Sequence, residues 1–249
     1  MYRLYIFILL STVSILLGKT ATTELSPIEI LARCDAARGN LDGVQWHVEI
    51  TENSTNKTTS RSLLVKARGF DMVAVTLAPA RQKGQKLLLA QNNMWFYKPG
   101  LSKPVPVSLR QKLAGQAANG DIASTNYAQD YDIISVEESN LNNEDCYLFD
   151  LKANSKSVTY ENIRYWISKD RLVGLRADYF TTSGVKRLKT AEMKYENTIL
   201  SNDIITPFIS EMTIYDTLIS STYTQLLFTK PKLGAISSRD LNVNSLKRQ

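Results

Sequence analysis

Residues 94–131 read MWFYKPGLSKPVPVSLRQKLAGQAANGDIASTNYAQDY, an aromatic run that passes through Pro99 and Gly100 into a long irregular segment. The segment is rich in Gly, Pro, Gln, Asn and cationic residues, and it carries no metal-ligand spacing, nucleophile–base pair or phosphate loop. Most of the remaining chain has the patterns of β-strands. A long irregular excursion inside a compact β-domain is usually functional, so the stretch predicts a movable mouth over a sheet.

Strand patterns dominate the chain after residue 43. From Val44 to Ile50 apolar and polar residues alternate, which is the period of a strand with one buried face. The polar run Glu52–Ser60 is predicted to be a turn. Further strands are predicted at residues 63–69, 70–77, 86–90, 94–98, 131–136, 146–152, 160–168, 172–179, 185–195, 209–216 and 221–228. The pattern predicts a mainly β protein with few helices, an antiparallel meander that curls towards a barrel or half-barrel and leaves one concave face partly open.

One helix is predicted before the first strand. Ser26 is placed at the N-cap, Pro27 at the first helical position and Glu29 three residues after the cap, which is the pattern of a capping box. Gly39 is placed to end the helix. We therefore expect a helix over residues 26–38 with an apolar side that packs on the sheet.

The N-terminus has the features of a signal peptide. Residues 1–3 are short and positively charged, and residues 4–17 form an apolar run that is too short for a typical membrane span. We expect residues 1–22 to be a signal peptide and residues 23–249 to form a single exported domain. An uncleaved membrane anchor is the alternative.

Two cysteines, Cys34 and Cys146, are far apart in the sequence. Export to an oxidising compartment permits a disulfide between them. The alternative is two buried thiols that pack as small apolar side chains.

The composition gives no indication of nucleic-acid binding. The chain of 249 residues is 43% apolar and carries a formal charge of +6 with a pI near 9.2. Its cationic residues are scattered and form no run of the kind that marks a nucleic-acid-binding arm. We therefore expect no nucleic acid among its partners.

Motifs for catalysis are missing from the sequence. The single histidine, His47, occupies a strand position, and no second His or CxxC pair accompanies it. Asp130 and Asp132 would point the same way on one strand, where they could hold a cation or exchange protons, although a solvated acidic edge is the simpler interpretation. No nucleophile or phosphate-binding motif is present. We expect a protein without enzymatic activity and without a cofactor.

Aromatic and flexible apolar residues are the candidate lining of a cavity. Because successive strand residues point to opposite faces, either Met94 with Phe96 or Trp95 with Tyr97 faces inward. A strand that is apolar on both faces is covered on both or lines a cavity on one, and an ordinary two-sided core is the alternative. The expected lining of the apolar cavity and its mouth is Trp46, Phe70, Met72, Leu88, Met94, Trp95, Phe96, Tyr97, Trp166 and Phe180.

Cationic residues and glycines complete the candidate site. The cations expected at the rim of the cavity are Lys103, Arg110 and Lys112. They would suit an amphipathic ligand with an anionic or carbonyl-rich head, and solvated surface charges are the alternative. The expected hinges of the mouth, residues 99–126, are Gly100, Gly115 and Gly120.

The order of residues from Lys83 to Asp132 resembles that of outer-membrane lipoprotein-sorting proteins of Gram-negative bacteria, members of the LolA/LolB-like superfamily. The resemblance rests on the elements W-F-Y-K-P-G and G-Q-A-A-N-G-D and covers most of residues 27–230. It implies a curved antiparallel half-barrel (LolA-like) with helices over the concave face and an apolar cavity between them.

The resemblance also implies a periplasmic carrier or acceptor of acylated cargo, lipoprotein or lipid, that acts without covalent chemistry. Some members are encoded beside transporters of the resistance–nodulation–division (RND) type, so such a transporter in the inner membrane is a second implied partner. An adaptor subunit of that transporter, without lipid cargo of its own, is the alternative function. A hydrolase would need a base near a nucleophile, which the sequence does not offer.

Overall fold

The computed structural model describes residues 25–54, 57–156, 158–201, 204–217 and 222–247. The expected signal peptide, residues 1–22, lies outside the described residues. The helices are α1 (Pro27–Ala37) and α2 (Tyr127–Asp130). The strands of the first half are β1 (Val44–Ser54), β2 (Lys57–Arg68), β3 (Asp71–Ala78), β4 (Lys86–Ala90), β5 (Asn93–Tyr97), β6 (Val105–Val107), β7 (Lys112–Ala114) and β8 (Ala117–Ala118). Those of the second half are β9 (Tyr131–Leu141), β10 (Glu144–Ala153), β11 (Asn162–Ser168), β12 (Gly174–Phe180), β13 (Arg187–Lys194), β14 (Asn197–Ser201), β15 (Ile204–Phe208), β16 (Glu211–Asp216) and β17 (Tyr223–Leu233).

Thirteen of these strands form one antiparallel sheet, in the order β6-β5-β4-β3-β2-β1-β17-β16-β13-β12-β11-β10-β9. Strands β1 and β17 pair in the middle of the sheet, with Val48 opposite Phe228. Strands β6 and β9 lie at its two ends, so the sheet is an open half-barrel. Two short ribbons, β7–β8 and β14–β15, lie apart from it. The expected mainly β half-barrel is confirmed.

Helix α1 packs over the concave face of the sheet. The Ser26 N–H donates to Glu29 Oε2 at 2.8 Å and the Glu29 N–H donates to Ser26 Oγ at 3.4 Å, which is the predicted capping box. Ile30 and Leu31 are buried against the strands. The predicted helix is therefore confirmed to within one residue at each end.

The main core lies between α1 and the concave face. Trp46 of β1 is 1% exposed, and its ring meets the ring of Phe208 edge to face at a centroid distance of 5.6 Å. The same ring lies on Gly39, where an added Cβ would stand 2.8 Å from it. The alternation of buried residues from Val44 to Ile50 is as predicted.

Residues 234–247 cover the outer face of strands β3 to β5. Leu241 and Leu246 are buried there against Leu88 of β4. Lys66 Nζ lies 2.9 Å from Asp240 Oδ2 and holds the covering segment to β2. The sheet is therefore apolar on both faces in this region because both faces are covered.

The predicted turn over Glu52–Ser60 is wrong. Strand β1 continues to Ser54 and β2 begins at Lys57, and Thr59 Oγ1 donates to Glu52 Oε2 across the ladder at 3.3 Å. Beyond the core both faces of this hairpin carry polar residues, so the sequence has no alternation to mark the strands. The β14–β15 ribbon has no counterpart in the sequence prediction.

The two cysteines are buried and not joined, so of the two possibilities that the sequence leaves open, two buried thiols describe the structure and a disulfide does not. Cys34 Sγ donates to Leu172 O at 3.4 Å inside the main core. Cys146 precedes Tyr147, which packs on that core, so strand alternation turns Cys146 to the outer face. The sheet separates the two thiols, and burial raises the pKa of each.

Candidate functional site

A cleft on the concave face lies between strands β2–β5 and the segment that follows β6. Its inner part, here called the chamber, has a volume of about 160 Å³. The apolar side chains that border the chamber are Leu63, Ala74, Leu87, Phe96, Val107 and Leu113. Its outer part, here called the outer cleft, has a volume of about 430 Å³. The two parts share the lining residues Arg61, Lys112 and Leu113, so they lie side by side.

The plug, residues 108–126, crosses the concave face and forms the roof of the chamber. The Gln116 N–H donates to Thr224 Oγ1 of β17 at 2.7 Å, and Ser124 Oγ donates to the carbonyl of Gly69 at 3.0 Å. Ala117 and Ile122 are buried in the main core. The stretch that the sequence presents as a mouth is therefore a packed layer tied to several strands.

The three glycines expected to be hinges differ in their surroundings. Gly100 has a φ of +92°, and a Cβ added there would have no neighbour within 4 Å, so its backbone conformation alone requires glycine. Gly115 has a φ of +50°, and an added Cβ would overlap Thr224 Oγ1. An added Cβ at Gly120 would overlap Thr159 Oγ1. Gly115 and Gly120 thus allow close approach of the plug to its neighbours.

A buried polar cluster lies under the plug. Arg38, at the end of α1, donates from Nη2 to the carbonyl of Asp121 at 3.4 Å. The Asp121 carboxylate accepts from the Ala118 N–H at 2.7 Å and from the Tyr160 hydroxyl at 3.1 Å. Burial raises the pKa of Asp121, and the positive charge of Lys189 opposes that rise. These contacts hold the inner end of the plug in place.

Asp35 of α1 provides a test of this buried cluster. Its Oδ2 accepts from the Ala128 N–H at 2.9 Å, and burial raises the pKa of its carboxyl from 3.8 to about 6. The folded state therefore holds the proton more tightly than the unfolded state, so the free energy of unfolding falls as the pH rises from about 4 to about 6. A shift of this size corresponds to up to about 3 kcal/mol. Asp35→Asn lacks this contribution, so we expect its free energy of unfolding in urea to rise relative to that of the wild type as the pH rises from about 4 to about 6.

Other carboxyls also titrate in this range, so the informative quantity is the difference between the two pH profiles. Asp170 lies in an exposed turn and supplies the control Asp170→Asn, which should keep the wild-type slope. Equal slopes for wild type and Asp35→Asn would contradict a raised pKa at Asp35.

Five of the residues expected to line the cavity lie on the concave side. Phe96 borders the chamber. Phe70 borders a separate cavity of about 40 Å³ at the other end of the plug. The three that are buried in the main core are Trp46, Met72 and Met94.

The other five lie away from the chamber and the outer cleft. Leu88, Trp95 and Tyr97 pack under residues 234–247. Trp166 lies beneath the guanidinium of Arg176, with 5.2 Å between the guanidinium carbon and the ring centroid. Phe180 is the half-buried last residue of β12, and it borders neither the chamber nor the outer cleft. The structure therefore does not bring these five together with the chamber.

The cations expected at the rim are also divided. Lys112 borders both the chamber and the outer cleft. Arg110 forms an ion pair with Glu161 at 2.8 Å, and its Nε donates to the carbonyl of Val158 at 3.0 Å. Lys103 is exposed and borders neither part of the cleft.

Several residues that line the cleft are absent from the set expected from the sequence. Leu63 and Leu87 belong to predicted strands, and their alternation marks them as members of one face. Arg61 and Arg81 border the outer cleft from β2 and from a short 3₁₀ helix, Ala80–Gln82. No local sequence pattern identifies either arginine as a cleft residue, because the elements that form the cleft are distant from one another in the sequence.

The polar residues considered for chemistry lie apart. His47 is a half-buried residue of β1. Asp130 ends α2 whereas Asp132 belongs to β9, so the interpretation that they share a strand face is wrong. Within the described ranges no group of three or more His, Cys, Asp or Glu side chains could hold a metal ion. No helix in this part of the chain is long and apolar enough to cross a membrane.

Comparisons with known proteins bear on this architecture. A family model described as an uncharacterized protein matches residues 70–248. No curated protein matches the chain. A LolA superfamily protein from Nitrosomonas europaea is 26% identical, and the match covers 89% of this chain and 99% of that protein with a TM-score of 0.78.

Two further solved structures share the fold. A DUF1329 family protein from Desulfovibrio piger is 20% identical, with 88% of this chain and 97% of that one covered and a TM-score of 0.73. A putative outer membrane lipoprotein-sorting protein domain from Vibrio parahaemolyticus is 18% identical, with 89% and 98% covered and a TM-score of 0.73. These matches show that the half-barrel has the LolA-like fold. Because the family model covers more than half of the chain, the chain belongs to the family that this model describes.

Proposed function

We propose that the protein is a periplasmic, non-enzymatic carrier or acceptor of acylated cargo, a lipoprotein or a lipid, in outer-membrane lipoprotein sorting. The observation that carries this proposal is the apolar chamber on the concave face of a LolA-like half-barrel. Leu63, Leu87 and Phe96 form its floor, and Leu113 of the plug lies over it. The similarity to a solved structure described as a lipoprotein-sorting protein domain supports the same proposal.

The energetics of such a cavity suit transfer of cargo. Burial of one methylene contributes roughly 0.8 kcal/mol, so an acyl chain of about sixteen carbons could contribute on the order of 10 kcal/mol before ordering costs. That value is comparable with the affinity of the same chain for a membrane. A carrier of this kind can accept a chain and hand it on.

The size of the chamber limits how much of a chain it can hold. Its volume of about 160 Å³ is close to that of the engineered lysozyme cavity, about 150 Å³, that binds benzene. The chamber therefore accommodates only a short part of an acyl chain beside Phe96. The remainder would occupy the outer cleft, or the plug would yield and enlarge the space.

Neighbouring residues of β5 provide a direct test of the chamber. Phe96 borders it, whereas Trp95 lies on the outer face under residues 234–247. We expect Phe96→Ala to weaken binding of a fluorescent fatty acid about tenfold, because roughly 1.4 kcal/mol of apolar contact is lost. Trp95→Ala, the matched control, should bind within about twofold of the wild type. Fluorescence titration of both variants measures the two affinities.

Circular dichroism and thermal unfolding establish that both variants are folded before their affinities are compared. Equal affinities in wild type and folded Phe96→Ala would argue against cargo in the chamber. A loss confined to Trp95→Ala would instead place the apolar ligand on the outer face.

Native mass spectrometry of protein taken from its own periplasm tests the function itself. Lipid or lipopeptide that remains bound supports the carrier, whereas a bare chain that co-purifies with an RND-type transporter supports the adaptor. No contact among the described residues favours the adaptor. Export rests on the signal-peptide pattern of residues 1–22, and cell fractionation would test it.

A further inference from the structure

Three cations from separate elements line the outer cleft. Arg61 extends from β2, Arg81 from the 3₁₀ helix Ala80–Gln82, and Lys112 from β7. Arg61 is half-buried, while Arg81 and Lys112 are exposed. Because Arg61 and Lys112 also border the chamber, the positive charge lies where the apolar space opens outward.

No ion pair neutralises this charge among the described residues. None of the three side chains makes a hydrogen bond or ion pair there, whereas Lys66 and Arg110, which lie outside the cleft, are paired with Asp240 and Glu161.

Glu52 is the one carboxylate among the described residues that line the outer cleft, and its Oε2 already accepts from Thr59 Oγ1 at 3.3 Å. The three cations therefore face a single carboxylate that is partly engaged elsewhere.

The lowered pKa of Arg61 indicates that these charges interact. Burial and the positive charge of Arg81 lower the pKa of Arg61, and Glu52 opposes them more weakly. A half-buried guanidinium beside a second one is unfavourable unless an anion compensates it. A planar guanidinium also presents the donors that a carboxylate or phosphate accepts in pairs.

We propose that Arg61, Arg81 and Lys112 form a head-group site for a single-chain amphiphile with an anionic head, a carboxylate or a phosphate, whose chain enters the chamber. This inference rests on the proposed function, since it specifies the class of ligand that the same cleft takes. In this arrangement the charged head and the part of the chain that the chamber cannot hold lie in the outer cleft, and the end of the chain lies beneath Leu113 beside Phe96.

The test compares two probes with the same acyl chain, cis-parinaric acid with a charged head and its methyl ester with a neutral one. The wild type should bind the acid more tightly than the ester. The double variant Arg81→Gln/Lys112→Gln removes the two exposed cations and leaves half-buried Arg61 in place, so it should fold normally. We expect it to lose about tenfold in affinity for the acid and less than about twofold for the ester.

A matched control carries the same change in net charge outside the cleft. Lys98 and Lys103 are exposed and border neither the chamber nor the outer cleft. Lys98→Gln/Lys103→Gln should therefore bind both probes like the wild type. A loss for the acid in this control as large as in the cleft variant would assign the effect to general surface charge and overturn the site.

The remaining outcomes separate the two proposals. Wild-type protein that binds acid and ester equally well would refute the head-group site and leave the apolar chamber standing. Wild-type protein that binds neither probe would refute the proposed function, and the head-group site with it. Binding of inorganic phosphate that is lost in the cleft variant, together with unchanged affinity of that variant for the acid, would assign the cations to free anions and refute the amphiphile site.

Discussion

Replacement of Trp46 by alanine is expected to lower the free energy of unfolding by about 3–5 kcal/mol, as for other large aromatic side chains removed from a packed core. The ring is 1% exposed and is held between Phe208 of β15 and the backbone of Gly39. Helix α1, the sheet and the β14–β15 ribbon meet at this ring, so the cavity left behind cannot easily collapse. Urea denaturation of wild type and Trp46→Ala measures the loss.

The same variant separates packing from binding. Trp46 does not border the chamber or the outer cleft, so folded Trp46→Ala should bind a fluorescent fatty acid within about twofold of the wild type. Trp95→Ala removes an indole outside the main core and is the control. It should lower the free energy of unfolding by less than Trp46→Ala does, because Trp95 is only partly buried. A change below about 1 kcal/mol in Trp46→Ala would contradict the packing described for the main core.

Replacement of Gly115 by alanine is expected to destabilise the protein by about 2–5 kcal/mol. Its φ of +50° disfavours any residue with a Cβ by roughly 1–2 kcal/mol, and overlap with Thr224 Oγ1 adds an overpacking term of about 1–3 kcal/mol. Gly100→Ala is the matched control, because Gly100 also has a positive φ but has open space around it. In urea denaturation Gly100→Ala should lose only the roughly 1–2 kcal/mol that the positive φ costs.

A double-mutant cycle identifies the source of the Gly115 effect. Thr224→Ala removes the overlapping oxygen together with the hydrogen bond that it accepts from the Gln116 N–H. The double variant Gly115→Ala/Thr224→Ala should therefore be more stable than the two single effects added together. Strict additivity would mean that the plug does not press on Thr224. Limited proteolysis would report whether the plug has loosened.

The part of the fold that depends on local periodicity is predictable from sequence. The capping box at Ser26 places helix α1, and apolar alternation places most strands of the large sheet. Where strands run past the core, as in the hairpin around Glu52 and Thr59, both faces carry polar residues and the prediction of a turn is wrong.

The candidate site is harder to predict because both faces of β3–β5 are apolar. In the sequence, Trp95 and Phe96 are equally good candidates for the lining of the cavity. In the structure, residues 234–247 cover Trp95, whereas the plug approaches Phe96. The plug covers one face of these strands and residues 234–247 cover the other. These two segments are more than a hundred residues apart, so no local pattern shows which face borders the cavity. For the same reason Arg61 and Arg81 carry no local signal of their meeting in the outer cleft.

The pairing of β1 with β17 sets the order in which the molecule can acquire its native form. Val48 lies opposite Phe228, so the middle of the sheet is completed only when the chain as far as β17 is available to fold. Contacts between such distant segments form slowly, because a long loop must close before they contribute. Until then β1 exposes an apolar face and a free edge, a form that is prone to aggregate. The half-barrel is therefore expected to mature late, as one cooperative event, and an assisting chaperone would act on the stage before β17 arrives.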